Sequence, residues 1–272
     1  MNILYGKPVA EQIRQRILSY TKNNRVTVAT IGLEGDEQWN QYTASLSKSA
    51  ANYNCNVVNC TLSSDVDFQT FKQEIEKLNG DDDVDGVLIQ QPLPKHLAAV
   101  VDVLSPFKDI DGLTASSVKA MYTGKENFLP ATALAVIRLL EFYEIATAVN
   151  VTIVGRGLAV GKPLALMLTN RNATVTVCHT KTKNVQWHTQ NADIIVSACG
   201  VANLIGKDHV NKNSVVIDVG LSFVNGKTCG DLNVEEIADN CLAYSPVPGG
   251  VGPVTRACLF ENAVKAHSLK VK

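Results

Sequence analysis

The sequence predicts an α/β protein of two domains, each built on a parallel sheet. Short apolar segments alternate with helical patterns in two separate series, and such alternation is typical of parallel strands covered by helices. A glycine-rich turn at 155–161 follows one apolar segment and opens a helical one, as in nucleotide-binding folds. A chain of 272 residues is long enough to bury two cores.

The first series predicts an αβα domain. Its expected strands and helices alternate in the order 26–31, 42–53, 55–62, 68–78 and 84–89. The last strand ends at Gln90, and ligands of open α/β sheets collect at the carboxyl ends of strands. We therefore expect a substrate domain over 1–119.

The second series predicts a Rossmann-like domain over 120–255. A long amphipathic helix at 132–143 links the halves, and the expected elements that follow are 151–154, 162–168, 174–178, 193–198 and 214–219. A final helix is predicted over 256–270. A strand, a glycine turn and a helix in this order are the context of a dinucleotide site.

Composition excludes several classes of partner. With 46% apolar residues and a net charge of −1, the chain gives no argument for nucleic acid or a membrane surface. The first residues lack the basic and apolar regions of a signal peptide, so we expect a cytoplasmic protein. The seven cysteines and five histidines are scattered without a metal-binding spacing, so no metal site is expected.

The turn at 155–161 has the spacing G-x-G-x-x-x-G, one residue longer than the usual dinucleotide pattern. Its backbone and the following helix N-terminus are expected to hold a pyrophosphate. The alternative is a turn whose glycines serve only helix–sheet packing. The candidate cofactor residues here are Gly155, Arg156, Gly157, Val160 and Gly161.

The next strand indicates which nucleotide binds. NAD sites usually carry a carboxylate at its end, but here the strand runs into Cys178-His179-Thr180-Lys181. Hydroxyls and cations, including Thr180 and Arg156, suit a 2′-phosphate, so NADP is favoured over NAD. The alternative for Arg156 and Lys181 is simple solvation at the surface.

The run PVPGGVGPVT at 246–255 predicts a tight loop. Proline fixes φ and glycine permits positive φ, so bare backbone can lie close to a flat ligand. Thr255 is expected near a helix start, where N–H groups attract anions. The alternative is a rigid connector.

Together with GRGLAVGKP, KDIDGL at 108–113, Gly6-Lys7 and QQPLP at 90–94, this loop resembles the methylenetetrahydrofolate dehydrogenase/cyclohydrolase family along essentially the whole chain. The resemblance implies oxidation of 5,10-methylenetetrahydrofolate to the methenyl form with NADP, then hydrolysis to 10-formyltetrahydrofolate in one-carbon metabolism. It also implies a homodimer that pairs through the cofactor domain, and a final helix that packs on the first domain.

The resemblance assigns folate contacts to both halves of the chain. Asp111 would accept hydrogen bonds from a pterin ring, Gln90 would both donate and accept, and Tyr42 would stack on the ring. Without the family, Asp111 is equally well a turn cap and Tyr42 a packing residue. The remaining implied contacts are Leu221 against the cofactor, and Pro248, Gly249, Gly250 and Thr255 beside the folate.

The chain departs from the family pattern at its catalytic helix. The family carries Tyr-x-x-x-Lys, whereas here Tyr42 is followed by Leu46 at the lysine position. Lys48 is two residues on and therefore on roughly the opposite helix face. Three further departures surround the expected sites: Trp39 and Gly157 each replace a serine, and Ala131-Thr132-Ala133 replaces Cys-Thr-Pro.

Four functions follow from these patterns. The first is an NADP-dependent methylenetetrahydrofolate dehydrogenase with weakened hydrolysis, because leucine cannot move protons. The second is a fully bifunctional enzyme that uses Tyr42 or Lys48. The third is a catalytically weak protein that binds folate or nucleotide, and the fourth is a Rossmann oxidoreductase acting on another small substrate.

Overall fold

The computed structural model describes residues 2–224 and 226–271. The chain divides into two compact units, one of Met1–Glu11 with Thr132–Thr255 and one of Gln12–Ala131 with Arg256–Lys272. We call them the six-stranded unit and the three-stranded unit after their main sheets.

The strands and α-helices are numbered here in chain order. The strands are β1 (Asn2–Ile3), β2 (Val26–Leu33), β3 (Cys55–Leu62), β4 (Gly86–Ile89), β5 (Asn150–Val154), β6 (Thr174–Cys178), β7 (Ile194–Ser197), β8 (Val215–Asp218), β9 (Ser222–Val224), β10 (Lys227–Cys229) and β11 (Ala243–Tyr244). The helices are α1 (Gly6–Thr21), α2 (Glu37–Ala50), α3 (Phe68–Gly80), α4 (Ala115–Tyr122), α5 (Ala131–Phe142), α6 (Gly161–Thr169), α7 (Val185–Gln190), α8 (Val234–Ile237) and α9 (Val251–Lys270).

The three-stranded unit has a parallel sheet in the order β3-β2-β4. Every residue of the central strand β2 is buried, as expected for a parallel strand covered on both faces. The backbone N–H of Gln90 donates to Ile31 O at 2.9 Å, so the carboxyl ends of β2 and β4 lie side by side. This edge carries the substrate residues that the sequence predicts.

The six-stranded unit has a parallel sheet in the order β1-β11-β8-β7-β5-β6. The strands β7 and β8 are buried throughout. Of the glycines of the predicted nucleotide site, Gly155 and Gly157 lie in the turn between β5 and α6, and Gly161 is the first residue of α6. β9 and β10 form a separate antiparallel hairpin. The predicted fold class, two α/β domains on parallel sheets, is confirmed.

The first residues belong to the other unit from the one that the sequence predicts. Strand β1 pairs in parallel with β11, and Leu4 N donates to Tyr244 O at 2.8 Å. A two-residue strand has no hydrophobic period, which is why the sequence alone assigns it to the domain that follows.

Residues 120–131 belong to the three-stranded unit, so the predicted boundary at 119 lies too early. A Cβ at Gly112 would lie 2.8 Å from Phe128 O, which shows how closely this segment packs on the turn after β4. The final helix contributes to the same unit, because Asn262 Nδ2 donates to Ile110 O at 2.8 Å and to Leu129 O at 3.0 Å.

Two classes of feature are absent from the described part of the chain. Within 2–224 and 226–271, none of the helices combines the length and apolar character needed to cross a bilayer. The same residues contain no cluster of three or more His, Cys, Asp or Glu side chains arranged to hold a metal ion.

Candidate active site

The glycine turn of the six-stranded unit is fixed by close backbone contacts. Gly155 has φ +123°, and a Cβ there would lie 2.4 Å from Ala198 O. A Cβ at Gly161 would lie 2.1 Å from Gly155 O. Only glycine fits at these two positions, whereas a Cβ at Gly157 meets open space.

The helix that follows this turn begins next to the glycines. Val160 precedes α6 with φ −133° and makes no side-chain capping bond. Helix N-termini attract phosphate through free N–H groups and the helix dipole. In α6, Lys162 N donates to Gly157 O at 3.1 Å, Leu164 N donates to Val160 O at 2.9 Å and Pro163 has no N–H, so Gly161 N and the backbone of the turn are the groups that suit a pyrophosphate.

The end of β6 forms a compact polar turn. His179 N donates to Thr182 Oγ1 at 2.9 Å, and Lys181 N donates to His179 Nδ1 at 3.1 Å. Thr180, Lys181 and Arg156 are exposed. An exposed hydroxyl and two exposed cations in place of a carboxylate suit a nucleotide with an additional phosphate.

The proline- and glycine-rich loop is anchored by the start of α1. Gly6 N donates to Gly249 O at 2.8 Å, and a Cβ at Gly6 would lie 1.8 Å from Gly250 O. Gly249 has φ +110°, and the bond between Val247 and Pro248 is cis. Residue 6 thus packs directly against the backbone of the loop. A side chain would not fit there, which explains the glycine of the Gly6-Lys7 pair.

The loop is shorter than the sequence predicts, because α9 begins at Val251 and not at Arg256. Pro253 lies in the first turn of this helix, where a proline lacks only an N–H that has no partner in any case. Thr255 is therefore inside the helix, and its hydroxyl donates to Val251 O at 3.3 Å. The expectation that Thr255 lies near a helix start, among N–H groups that attract anions, is wrong, because α9 begins at Val251.

Helix α2 of the three-stranded unit carries an aromatic pair. Asp36 caps the helix by accepting a bond from Trp39 N at 2.9 Å, so α2 starts five residues before the predicted start at 42. The rings of Trp39 and Tyr42 are stacked at 5.9 Å with an interplanar angle of 24°. Trp39 is buried and Tyr42 is 37% exposed, so the pair presents Tyr42 as its open side.

Leu46 lies on the buried face of the same helix. Its side chain is fully buried, alongside Thr43 and Ala50 on that face. Lys48 is exposed. A rotation of about 100° per residue places Lys48 on the opposite face from Leu46, so its amine does not replace the missing one.

Both polar atoms of the Gln90 side chain form hydrogen bonds within the protein. Its Oε1 accepts a bond from Leu33 N at 2.6 Å, and its Nε2 donates to Asp36 Oδ2 at 2.6 Å. The residue is buried, and through Asp36 it joins the end of β4 to the start of α2. These bonds hold the helix that carries Tyr42, and the contact of Gln90 with a ligand stays a prediction.

Asp111 lies half-buried in the turn after β4, where its Oδ1 accepts a bond from Ala131 N at 3.0 Å. The pKa of the Asp111 carboxyl is raised to about 7, mainly by burial; the bond from Ala131 N lowers it and the nearby Asp109 contributes a smaller rise. Asp111 thus bonds the first residue of α5, which differs from the cap of its own turn that one alternative predicts, and its carboxyl also changes charge near neutral pH.

Tyr42 and Asp111 lie close enough to influence each other. Burial raises the pKa of the Tyr42 phenol well above its usual range, Asp111 raises it further, and Arg256 lowers it. The phenol is therefore a neutral hydrogen-bond donor at physiological pH. Arg256 directly follows the proline- and glycine-rich run, but its position relative to Tyr42 depends on how α9 packs, and sequence reasoning missed it.

The remaining cofactor candidate, Leu221, is 61% exposed just after β8. The six-stranded unit thus brings together the glycine turn, Thr180 and Leu221 at the carboxyl ends of its strands. The three-stranded unit brings together Tyr42, Gln90 and Asp111 around the start of α2.

Two family descriptions match this chain. Residues 4–111 match "Tetrahydrofolate dehydrogenase/cyclohydrolase, catalytic domain" and residues 130–271 match "Tetrahydrofolate dehydrogenase/cyclohydrolase, NAD(P)-binding domain". The bifunctional protein FolD of Hydrogenobaculum sp. (strain Y04AAS1) is 40% identical over 278 residues, with 100% of each chain covered.

Solved structures agree with these matches. The bifunctional enzyme FolD, a methylenetetrahydrofolate dehydrogenase/cyclohydrolase from Campylobacter jejuni, is 34% identical with a TM-score of 0.95, and 99% of each chain is covered. The Trypanosoma brucei enzyme complexed with NADP cofactor and inhibitor is 28% identical with a TM-score of 0.92, covering 99% of this chain and 98% of that one. The chain therefore belongs to the tetrahydrofolate dehydrogenase/cyclohydrolase family.

Proposed function

We propose that this chain is an NADP-dependent methylenetetrahydrofolate dehydrogenase whose hydrolysis of the methenyl product is weakened. The observation that carries the proposal is the fully buried Leu46 at the position where the family pattern has lysine. The two reactions ask for different groups, so one substitution affects them unequally.

Hydride transfer depends mainly on orientation. NADP supplies the hydride acceptor when it is bound, and the protein contributes position and electrostatics. The glycine turn and the uncapped α6 N-terminus suit its pyrophosphate, and Arg156, Thr180 and Lys181 suit its 2′-phosphate. In the three-stranded unit, Tyr42 offers an aromatic face and a phenol donor, and Asp111 offers a carboxylate for pterin N–H groups.

Hydrolysis of the methenyl cation requires proton transfer to and from water and nitrogen. A positioned acid or base is typically worth about 10²–10⁴-fold in such a step. Leu46 has no proton to exchange, the raised pKa of Tyr42 keeps its phenol protonated, and Gln90 already uses both ends of its amide. Lys48 is exposed on the opposite face from Leu46.

A second candidate is the full bifunctional enzyme, and the observation that favours it is Asp111. A carboxyl whose pKa is about 7 is matched to acid–base work at neutral pH. In that case Asp111 both binds the pterin and exchanges a proton during hydrolysis.

Restoring the amine separates these candidates. In the variant Leu46→Lys, the stem of lysine occupies most of the leucine volume, and we expect hydrolysis of methenyltetrahydrofolate to rise at least about 10-fold while dehydrogenase turnover stays within about threefold. Leu46→Met is the matched control, because it keeps the volume without an amine and should leave hydrolysis unchanged. Equal hydrolysis by all three proteins would favour the role of Asp111 and contradict the proposal.

The assembly and compartment form part of the same proposal. Strand β6 is an edge of the six-stranded sheet, and an open edge suits a homodimer paired through that unit. The cysteines at 55, 60, 178, 199, 229, 241 and 258 are free thiols, which is typical of cytoplasmic proteins. Light scattering on the purified protein measures the assembly: a mass of twice 29.3 kDa supports the dimer, and a monomer mass contradicts it.

A further inference from the structure

Two buried carboxylates in the six-stranded unit have no part in the proposed chemistry. Asp231 is 0% exposed and Asp218 is 2% exposed. Buried charges are costly unless their bonds are satisfied, so their partners indicate what these carboxylates are for.

The Asp231 carboxylate accepts three hydrogen bonds from a single short segment of the chain. Its Oδ2 accepts from Ser197 Oγ and from Cys199 N, both at 2.7 Å. Its Oδ1 accepts from Val201 N at 2.7 Å. All three donors belong to the end of β7 and the turn that follows, so one carboxylate fixes the path of the chain over 197–201.

That stretch lies directly against the glycine turn. Ala198 N donates to Val154 O at 2.8 Å, and the Cys199 thiol donates to the same oxygen at 3.3 Å. A Cβ at Gly155 would lie 2.4 Å from Ala198 O. Asp231 thus fixes the segment 197–201, which packs against the glycine turn at Gly155.

Asp218 holds the neighbouring strand end in the same way. Its Oδ1 accepts from Gly220 N at 2.9 Å and from Asp231 N at 3.0 Å, and its Oδ2 accepts from Leu232 N at 3.1 Å. A Cβ at Gly220 would lie 2.0 Å from Asp231 Oδ1, so the backbone before Leu221 rests on Asp231 itself. The two carboxylates tie the ends of β7 and β8 together.

The strand order says which half of a dinucleotide meets these ends. Strand β5 has β7 and then β8 on one side, and it has β6 on its other side. In this fold a dinucleotide straddles the turn after the first strand, with its pyrophosphate at that turn. Thr180 follows β6, so the adenosine half belongs on that side and the nicotinamide half belongs over the ends of β7 and β8.

We propose that Asp231 is a positioning residue for the nicotinamide half of NADP. It acts through the backbone of 199–201 and 220–221 and touches no ligand. The adenosine half, held on the other side of β5, does not depend on it. The inference rests on the proposed function only through NADP binding, which is measured without folate or turnover.

The test compares two ligands on one variant. Asp231→Asn places an amide NH₂ against backbone N–H donors, and we expect the Kd for NADP to rise about 10–100-fold, since charge-assisted bonds are lost. The Kd for adenosine 2′,5′-bisphosphate should stay within about twofold, because this fragment lacks the nicotinamide half. Calorimetric titration of the full chain measures both.

Asp109→Asn is the matched control. Asp109 is buried and accepts three bonds, from Leu113 N, Thr114 N and Ser117 Oγ, but it lies in the three-stranded unit. We expect it to lower the melting temperature as Asp231→Asn does and to leave the Kd for NADP unchanged. A purely structural role for Asp231 would predict equal losses of both ligands, and this result would overturn the proposal, as would an unchanged Kd for NADP.

Ser197→Ala keeps the proposal testable if Asp231→Asn does not fold. It removes one of the three donors and leaves the carboxylate bound to two N–H groups. We expect a rise of about two- to fivefold in the Kd for NADP, the worth of one hydrogen bond, with the bisphosphate unaffected. No selective loss in this variant would contradict the role of Asp231.

Discussion

The nucleotide turn of the six-stranded unit and the surroundings of Tyr42 in the three-stranded unit are built in different ways. The turn is a backbone structure. Gly155 and Gly161 allow backbone segments to approach each other closely, and the buried Asp231 fixes the neighbouring segment through its hydrogen bonds. The region around Tyr42 is a side-chain structure, in which single functional groups on α2 and on the turn after β4 are the groups that we propose to contact the substrate. A backbone structure tolerates a side chain where a Cβ meets open space and not where it meets backbone, whereas a side-chain structure loses a reaction when one functional group is replaced.

The family departures illustrate this difference. Gly157 replaces a serine in the turn, yet a side chain there meets open space, so the turn keeps its shape. Leu46 stands where the family pattern has lysine, and we propose that this change removes the proton transfer on which hydrolysis depends. The two substitutions are thus expected to have very different costs.

The largest expected effect tests the backbone character of the turn. Gly155→Ala combines φ +123° with a Cβ 2.4 Å from Ala198 O, so the turn must move. We expect the Kd for NADP to rise at least about 100-fold, because such strain costs several kcal/mol. Gly157→Ala, whose Cβ meets open space, is the control and should bind NADP normally. Similar affinities of the two variants for NADP would contradict the view that close backbone contacts determine the shape of the turn.

A smaller effect tests the side-chain character of the substrate site. Asp111→Asn keeps an oxygen for Ala131 N but removes the charge that pterin donors favour. We expect the KM for methylenetetrahydrofolate to rise about 10–100-fold, as for a lost charge-assisted bond. The variant should bind NADP with unchanged affinity.

The same carboxyl sets an expected pH dependence. Because burial raises the pKa of Asp111 to about 7, its ionised form, which we propose accepts hydrogen bonds from the pterin, is lost as the pH falls through that value. We expect kcat/KM for the folate to decrease about tenfold for each unit below pH 7, provided the ionised form alone binds. Asp111→Asn should show no such acid limb, and an acid limb retained in this variant would assign the titration to another group.

The smallest expected effect concerns Gly157, the position in the turn where the family has serine. Gly157→Ser restores the family serine at a position with room for it. One additional neutral hydrogen bond is worth about 1 kcal/mol, so NADP should bind about fivefold tighter. Weaker binding would mean that the turn has adapted to glycine at position 157, and that the replacement of the family serine changed more than one side chain.

The sequence predicted the parts of the molecule that local patterns determine. Strands β3 and β6 have the bounds expected from their apolar runs, and Gly155 and Gly161 lie in the turn that their spacing indicated. The start of α9 was misplaced because proline is compatible with a first helical turn.

What the sequence did not predict depends on distant partners. Gln90 binds Asp36, which lies 54 residues earlier in the chain, and no local pattern links them. Asp218 and Asp231 resemble ordinary turn residues until the turns around them are known. Conversely, the lysine missing at position 46 was visible in the sequence, and the structure added that the site is buried.

The most direct measurement of the central claim is turnover of the purified chain with methylenetetrahydrofolate and NADP, following NADPH, methenyltetrahydrofolate and 10-formyltetrahydrofolate separately. Spontaneous hydrolysis without enzyme is subtracted. We expect NADPH and methenyltetrahydrofolate to accumulate in nearly equal amounts, since hydride transfer proceeds and enzymatic hydrolysis lags behind it. Formation of 10-formyltetrahydrofolate at the rate of NADPH would contradict the account, because hydrolysis would then proceed with leucine at position 46.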